Sequence, residues 1–359
     1  MQNIRAEVAM PTRDLQGDIG FFTNTLGFRM EQIFPADDPR VVVLQGYGLR
    51  LRLDQEMDGV PAGLRILGDD PMLIADGQTQ MISPGGVTVD IAPLNPPVET
   101  PVVASEFVVR RLADQAPWVV GRAGMQYRDL IPSRLGGAII ASHIRIPDGG
   151  PVPDMVHYHS VGFQLIFCYK GWVDLVYEDQ GEPFRLQAGN CVIQPPEIRH
   201  RVLYASDNIE VIEIGVPAEH ITTIDHQMEL PTPHLRPDRE WTGQRFVHHR
   251  AGQTPWVPHM PGFDSRDTTI CDHTKGGADV HVIKRGQGVP GWHSHDADIH
   301  FTFVMAGTLT LEGQGQTPQD LGAGDAFVIP RGMAVRYANP SDDIELLEIR
   351  LPHMFSSNV

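Results

Sequence analysis

The chain has 359 residues, of which 41% are hydrophobic and 20% charged, and its formal net charge is −17. This length suits two or three compact domains. The excess of acidic residues argues against binding to nucleic acid or to anionic membranes, because both need a basic surface.

The first 54 residues predict a small α+β module in the order βαβββ. A strand is expected in IRAEVAMP. The segment TRDLQGDIGFFTNTLG predicts a helix that ends near Gly27, with an apolar stripe formed by Leu15, Ile19, Phe22 and Leu26. Alternating apolar residues predict three more strands in RMEQIF, RVVVLQG and LRLRLD.

This segment resembles the first βαβββ unit of the vicinal-oxygen-chelate, or glyoxalase/bleomycin-resistance, superfamily. The shared features are the first strand, a P-x-x-D motif, the pair Phe21 and Phe22, and LGF at 26–28. The resemblance implies metal ligands on the first and last strands, but Glu7 and Arg52 occupy those places. We therefore expect a scaffold, a pocket lid or a dimer element, completed by a degenerate second unit in 55–100 or by a second subunit.

Two stretches rich in proline and polar residues, 83–101 and 229–244, are predicted linkers. They divide the chain into predicted domains at 1–85, 100–230 and 240–359.

The last two domains are repeats of one another. APWVVGRAGMQYRDL at 116–130 matches TPWVPHMPGFDSRDT at 254–268, and GGA occurs at 136–138 and again at 276–278. The matches continue in order over about 80 residues, in which Gly171, Gly189 and Pro195 correspond to Gly307, Gly324 and Pro330. Ordered matches over such a length indicate a duplicated domain rather than a solenoid.

Each copy consists of short alternating runs such as LIFCY and VDLVY, separated by Gly, Pro and Asp turns. This pattern predicts strands packed as a sandwich or barrel. The predicted fold is therefore mostly β, with two barrels preceded by the small α+β module.

Histidines occur as H-x-H pairs at equivalent places in the two copies, His157 with His159 and His293 with His295. Residues i and i+2 of a strand share a face, so each pair can chelate a metal. Composition alone predicts roughly 0.7 such pairs by chance. Two pairs at equivalent positions, each with a glycine twelve residues after its second histidine, are not explained that way.

Both copies resemble cupin domains, whose first motif is G-x5-H-x-H-x3,4-E-x6-G and whose second is G-x5-P-x-G-x2-H-x3-N. In the first copy the matching residues are His157, His159, Gln164, Gly171, Gly189, Pro195 and His200. In the second copy they are His293, His295, His300, Gly307, Gly324, Pro330, Gly332 and Asn339. The resemblance implies two double-stranded β-helix, or jelly-roll, barrels.

The resemblance also implies a divalent metal in the first barrel, held by His157, His159 and His200. Gln164 stands where the family has glutamate, so we expect it to be a weak fourth ligand and to tune catalysis by leaving out a negative charge. In the second barrel His300 replaces the glutamate and Val335 the last histidine. His293, His295 and His300 are the ligand set expected for a second metal, or they are a relic.

The function implied is that of a bicupin metalloenzyme, an Fe(II) dioxygenase of a small oxygenated or aromatic compound. Mn, Ni, Zn and Cu are the alternative metals. Without a carboxylate at position 164, an oxalate decarboxylase-like mechanism is disfavoured. The alternatives are a non-oxidative cupin isomerase or lyase, and a small-molecule-binding bicupin without catalysis.

Strand alternation predicts that Ile166, Cys168, Val202 and Tyr204 point into the first barrel, where they form an apolar pocket wall or, the more frequent role for each alone, pack in the core. Arg128 and Arg266 each precede an aspartate, which favours structural ion pairs over substrate binding. The three cysteines, Cys168, Cys191 and Cys271, form no disulfide framework.

The first residues lack the apolar segment of a signal peptide, and no run of about 18 apolar residues occurs. We therefore expect a cytoplasmic homo-oligomer, a dimer or larger. Its partners would be a small substrate and O2, without nucleic acid or membrane.

Overall fold

The computed structural model describes residues 4–114 and 117–352. The chain forms two compact units, Met1–Pro97 and Val98–Val359. No helix in the described ranges is both long enough and apolar enough to span a membrane.

The first unit begins with the predicted βαβββ order. Its elements are β1 (Val8–Pro11), α1 (Leu15–Gly20), a π-helical turn (Phe21–Thr25), β2 (Arg29–Phe34), β3 (Val41–Gly46) and β4 (Leu49–Asp54). Asp14 caps α1 by accepting a hydrogen bond from the Gly17 amide, and Leu15, Phe22 and Leu26 are buried under the sheet. The sheet order is β1-β4-β3-β2, with β1 parallel to β4.

The remainder of this unit repeats that arrangement with one strand fewer. Its elements are β5 (Gly63–Gly68), two 3-10 turns (Pro71–Leu73 and Ala75–Gly77), β6 (Gln80–Ile82) and β7 (Thr88–Pro93). The sheet order is β5-β7-β6, and the first strand again runs parallel to the last. At the place expected of a metal ligand, Glu7 is ion-paired with Arg50 at 2.8 Å.

The second unit contains both barrels. Its first strands are β8 (Val108–Arg110), β9 (Val119–Val120), β10 (Gln126–Asp129), β11 (Ile140–Ile146), β12 (Gly150–Pro151), β13 (His157–Ser160), β14 (Phe163–Lys170), β15 (Trp172–Tyr177), β16 (Phe184–Gln187), β17 (Cys191–Ile193), β18 (His200–Ala205), β19 (Ile209–Val216) and β20 (Ile221–Ile224). Short 3-10 turns lie at Leu112–Asp114, Arg122–Gly124 and Arg134–Gly137.

The remaining elements are β21 (Glu240–Trp241), β22 (Gln244–Arg245), β23 (Val247–His249), β24 (Val257–Met260), β25 (Phe263–Asp267), α2 (Ile270–His273), β26 (Asp279–Arg285), β27 (Ile299–Ala306), β28 (Thr308–Gly313), β29 (Gln319–Gly322), β30 (Ala326–Ile329), β31 (Val335–Ala338) and β32 (Glu345–Leu351). The predicted mostly β architecture is confirmed.

The sheet orders show the duplication directly. In the first barrel one sheet runs β17-β14-β19-β11-β10-β9, and in the second its counterpart runs β30-β27-β32-β26-β25-β24. The opposing sheets contain β16-β15-β18 and β29-β28-β31. In the first barrel β13 and β20 extend this opposing sheet, whereas in the second His293 makes an isolated bridge to Val335.

The barrels exchange strands with each other. β8 precedes the first barrel in sequence but pairs with β30 of the second, and β23 precedes the second barrel but pairs with β17 of the first. The two large sheets pack face to face through a shared core that includes Phe163, Leu165, Phe301 and Phe303. Each barrel therefore contains a strand from outside its predicted range. The predicted limits 100–230 and 240–359 stay a prediction.

Two glycines show how the repeat is built locally. Gly171 and Gly307 have φ of 72° and 71°, and a side chain on either would collide with a serine hydroxyl, of Ser206 or Ser341. Only glycine satisfies both requirements, which explains why the sequence match includes these two residues.

Candidate metal centre

Two neighbouring strands place three histidines together inside the first barrel. His157 and His159 lie on one face of β13, and His157 pairs directly with His200 of β18. All three are buried, with exposures of 0%, 9% and 4%. The strand period puts both β13 histidines inward, and the antiparallel register brings the third opposite them.

The three rings converge. The ring centroids of His157 and His200 are 4.2 Å apart. The ring centroid of His159 lies 5.2 Å from that of His157 and 5.3 Å from that of His200. One ring nitrogen of each lies within 4.8 Å of the others. Within residues 4–114 and 117–352, this is the one group of three such ligand atoms among His, Cys, Asp and Glu side chains.

Hydrogen bonds fix the ring orientations. The Nδ1 atoms of His157 and His200 lie 2.8 Å and 2.9 Å from the carbonyl oxygens of Met155 and Ile198, so each Nδ1 carries the proton and donates it. The Nε2 of His157 is buried and has no hydrogen-bond partner in the described structure. A lone pair on Nε2, held in place by a bond at Nδ1, is the arrangement that metal-ligating histidines use.

The surroundings keep the imidazoles neutral. Burial lowers the pKa of His159 to about 2, with further lowering by His157, His220 and Arg122. Burial and the two neighbouring histidines hold the pKa of His200 well below its usual range, and burial and Arg122 lower that of His157. Neutral rings keep the lone pairs that a metal needs, so these residues fit a divalent metal ion.

An ion pair supports the cluster from behind. Asp154 is buried, lies 3.7 Å from the Nδ1 of His157, accepts a hydrogen bond of 2.9 Å from the Val202 amide and is ion-paired with Arg122. The sequence pattern did not identify Arg122 or Asp154, because neither lies on a strand with alternating apolar residues.

Gln164 lies on β14, where alternation places it on the same face as Ile166, and it is 1% exposed. Its Nε2 donates a hydrogen bond of 2.6 Å to Oε1 of Glu213 on β19. Burial raises the pKa of Glu213, although the bond from Gln164 acts to lower it. The expectation of a site without a carboxylate therefore needs correction, since the carboxylate comes from β19. Ligation by Gln164 stays a prediction.

A cavity of about 450 Å³ opens onto the cluster. Its wall is largely aliphatic and includes Ile140, Ile144, Ile166 and Val211. A cavity of this size and lining is typical of sites for small organic molecules. The polar residues at its wall include Arg122, Gln194, His159, His200, Glu213 and His220.

His220 is a fourth imidazole at this cavity. Its ring centroid lies 5.5 Å from that of His159, and its Nδ1 is 3.0 Å from the carbonyl oxygen of Pro217. No local motif singles it out, because it follows β19 in a loop.

Two expectations about nearby residues were wrong. Tyr204 is 43% exposed and stacks on Trp172, because a bulge between Asp174 and Leu175 in the β15–β18 pairing reverses the inward parity. Arg128 forms no ion pair with Asp129; it is buried and donates to the Gly324 carbonyl at 2.7 Å.

The second barrel places its three histidines differently. His293 and His295 are half-buried, and the Nε2 of His295 lies 3.0 Å from the carbonyl oxygen of Ile329. His300 is fully buried, with its Nε2 3.0 Å from Oε2 of Glu348. Across the described residues these three do not form a group of converging ligand atoms. A second metal there stays a prediction.

Glu348 is the centre of a buried charged cluster in the second barrel. Arg350 Nη2 lies 2.5 Å and His259 Nε2 3.6 Å from its Oε1. Burial acts to raise the pKa of Glu348, but His300, His259 and Arg350 outweigh it and hold that pKa well below its usual range. These contacts bring opposite charges together, although both carboxylate oxygens of Glu348 and both ring nitrogens of His300 are buried without a hydrogen-bond partner in the described structure.

Comparison with known proteins identifies the second barrel. The family model described as Cupin domain matches residues 280–349, which include most strands of the second barrel. The first barrel has the same sheet order. Among curated proteins, no relative was found by sequence.

Solved structures support the same architecture. A salicylate 1,2-dioxygenase from Pseudaminobacter salicylatoxidans is 15% identical with a TM-score of 0.52, over 70% of this chain and 86% of that one. An arginine-to-alanine mutant of the oxalate decarboxylase OxdC from Bacillus subtilis is 11% identical with a TM-score of 0.52, over 71% and 79%. At this identity the likeness shows the fold alone.

Proposed function

We propose, from the cupin match and the three-histidine cluster, that the chain is a metal-dependent bicupin enzyme with its active metal in the first barrel. The observation that carries this proposal is the convergence of three buried, neutral imidazoles at the wall of a cavity sized for a small molecule. His157, His159 and His200 would hold the metal.

The activity we propose is that of an Fe(II) dioxygenase of a small oxygenated or aromatic compound. Iron held by three neutral imidazoles supplies Lewis-acid and redox chemistry toward a chelating substrate and O2. Mn, Ni, Zn and Cu are the alternative metals, since imidazole nitrogen accepts all of them.

The chain's own residues would position the substrate. The aliphatic wall excludes water and packs against the apolar part of a substrate, which restricts its orientation. Arg122 contributes a positive charge at the same cavity while one of its nitrogens is held by Asp154. This combination suits a small ligand with an apolar body and an oxygen-rich end.

Glu213 favours a second candidate, a non-oxidative isomerase or lyase that uses the metal as a Lewis acid. A carboxylate at the cavity wall is a group that can hold a proton near a substrate. A bicupin that binds a small molecule without catalysis is the remaining alternative.

The test is metal reconstitution followed by oxygen uptake. The protein is purified without added metal, loaded in turn with Fe(II), Mn, Ni, Zn and Cu, and supplied with a panel of catechols, hydroxybenzoates and small diketones. We expect substrate-dependent O2 consumption with Fe(II), and none with His157→Ala. Product formation without O2 would support the isomerase or lyase, and metal loading without any turnover would support the binding protein.

Three further expectations remain proposals. The N-terminal unit is proposed to be a glyoxalase-like scaffold, lid or dimer element, the protein a cytoplasmic homo-oligomer, and its partners a small substrate and O2. Light scattering of the full chain and of a chain lacking residues 1–97 would test the oligomeric part.

A further inference from the structure

The Gln164–Glu213 pair connects two adjacent strands of the first barrel. Gln164 is paired in register with Gly215, and Ile166 with Glu213, so the two polar side chains are diagonal neighbours on one face. Their hydrogen bond, Nε2 to Oε1, is 2.6 Å long. Ile166 and Glu213 both line the cavity, which places this face toward the histidine cluster.

An amide side chain has two ends with opposite properties. Its oxygen accepts hydrogen bonds and can ligate a metal, whereas its NH2 group only donates. A carboxyl oxygen that accepts a hydrogen bond from the amide faces its NH2 end, which turns the amide oxygen away from the carboxyl group. The bond to Glu213 occupies the NH2 end of Gln164, whose side chain is 1% exposed.

We propose that Glu213 is a positioning residue for Gln164, selecting the amide orientation in which Oε1 rather than Nε2 is available to a metal at His157, His159 and His200. This inference rests on the proposed metal centre. It goes further by assigning the site's carboxylate to the second coordination layer, where it acts through the amide and contacts no metal itself.

The geometry separates this role from direct ligation by Glu213. A glutamate oxygen can bind a metal, but no oxygen of Glu213 belongs to the group of ligand atoms that lie within 4.8 Å of one another. That group consists of the three histidines. Arg122 and His220 also line the cavity near Glu213, so this carboxylate faces positive or donating groups as well as the amide.

A double-mutant cycle read out with Co(II) tests the proposal without any substrate. Co(II) affinity and the visible Co(II) spectrum are measured for wild type, Gln164→Leu, Glu213→Leu and the double variant. We expect Glu213→Leu to weaken Co(II) binding about tenfold, the lower range for loss of an outer-layer partner, and Gln164→Leu to weaken it at least as much. Because Glu213 acts through Gln164, the double variant should be no weaker than Gln164→Leu, with the same spectrum.

Two conservative variants show whether Co(II) affinity depends on the amide orientation or on the charge of Glu213. A control variant reports effects of a general loss of folding. Glu213→Gln can still accept from Gln164, so its Co(II) affinity should stay within about threefold of wild type. In the exchanged pair Gln164→Glu with Glu213→Gln, the new amide donates to the new carboxylate, and binding should be at least as tight as in wild type. Glu312→Leu removes a strand carboxylate of the second barrel, and it serves as the matched control.

The outcomes are distinct. Additive losses in the double variant would overturn the positioning role, and loss of all Co(II) from Glu213→Leu would make Glu213 a ligand. A wild type that binds no Co(II) would overturn the proposed metal centre itself. Normal Co(II) behaviour without turnover would leave the positioning role standing and reject only the enzymatic activity.

Discussion

His157 and His200 lie directly opposite each other on antiparallel strands, with ring centroids 4.2 Å apart and neither ring open to solvent. The pairing depends on the register of β13 with β18, because a one-residue slip would turn one ring out of the barrel. This pair supplies two of the three ligands of the proposed centre. His159, on the same strand as His157, supplies the third.

His157→Ala or His200→Ala should therefore remove bound metal. We expect wild type to carry one metal per chain and each variant to fall below a tenth of that, measured by elemental analysis after dialysis. His295→Ala, a change in the corresponding H-x-H pair of the second barrel, should leave the metal content unchanged, because the histidines there do not converge. Loss of metal from His295→Ala would instead place a second metal there.

Glu348→Gln should destabilise the second barrel. The substitution removes a fully buried negative charge and leaves Arg350 and His300 without their partner. Breaking such a buried pair lowers the free energy of unfolding by about 3–5 kcal/mol. Urea unfolding of metal-free protein measures the loss. Glu312→Gln, which breaks the half-buried pair with Arg336, should lower it by about 1 kcal/mol or less. Equal effects would contradict the special role of burial.

Asp179 should contribute stability that disappears in acid. Burial acts to raise the pKa of Asp179, but hydrogen bonds from Arg239 and Thr232 and the charge of Arg236 outweigh it, so the pKa lies below its usual 3.8. A carboxyl with a depressed folded-state pKa stabilises above the unfolded-state pKa and loses that effect as pH falls through the folded-state value.

The variant Asp179→Asn should therefore be less stable than wild type by about 2 kcal/mol at pH 7. The difference should shrink steadily below about pH 4. Unfolding curves of both proteins between pH 7 and pH 3 give this comparison. A difference that stays constant over the whole range would show that the aspartate charge contributes nothing.

Gly171→Ala should be more damaging than Gly315→Ala, although both glycines have positive φ, 72° and 75°. At Gly171 a methyl group would collide with the Ser206 hydroxyl and lie 3.3 Å from the Ile209 Cα, whereas at Gly315 nothing lies within 4 Å. Strain alone lowers stability by about 1–2 kcal/mol, and the collision adds about 1–3 kcal/mol. Thermal unfolding of the two variants compares them, and similar losses would refute the steric argument.

Local pattern predicted much of this molecule. Strand alternation and turn residues located strands of both barrels, and the apolar stripe located the first helix. The duplicated glycines and H-x-H pairs predicted the repeat, because identical turns and identical inward positions need the same residues in both copies. The same i, i+2 spacing put His157 and His159 on one face before any contact was known.

Other features depended on contacts between distant segments. A bulge in the β15–β18 pairing turned Tyr204 outward, and no local signal marks that bulge. Glu213 and His220 lie at the cavity because β19 pairs with β14. His300 contacts Glu348 because its strand, β27, pairs with β32. Sequence spacing thus determined which side chains share a strand face, while strand pairing decided which faces meet, since long-range register arises from the packing of the whole sheet.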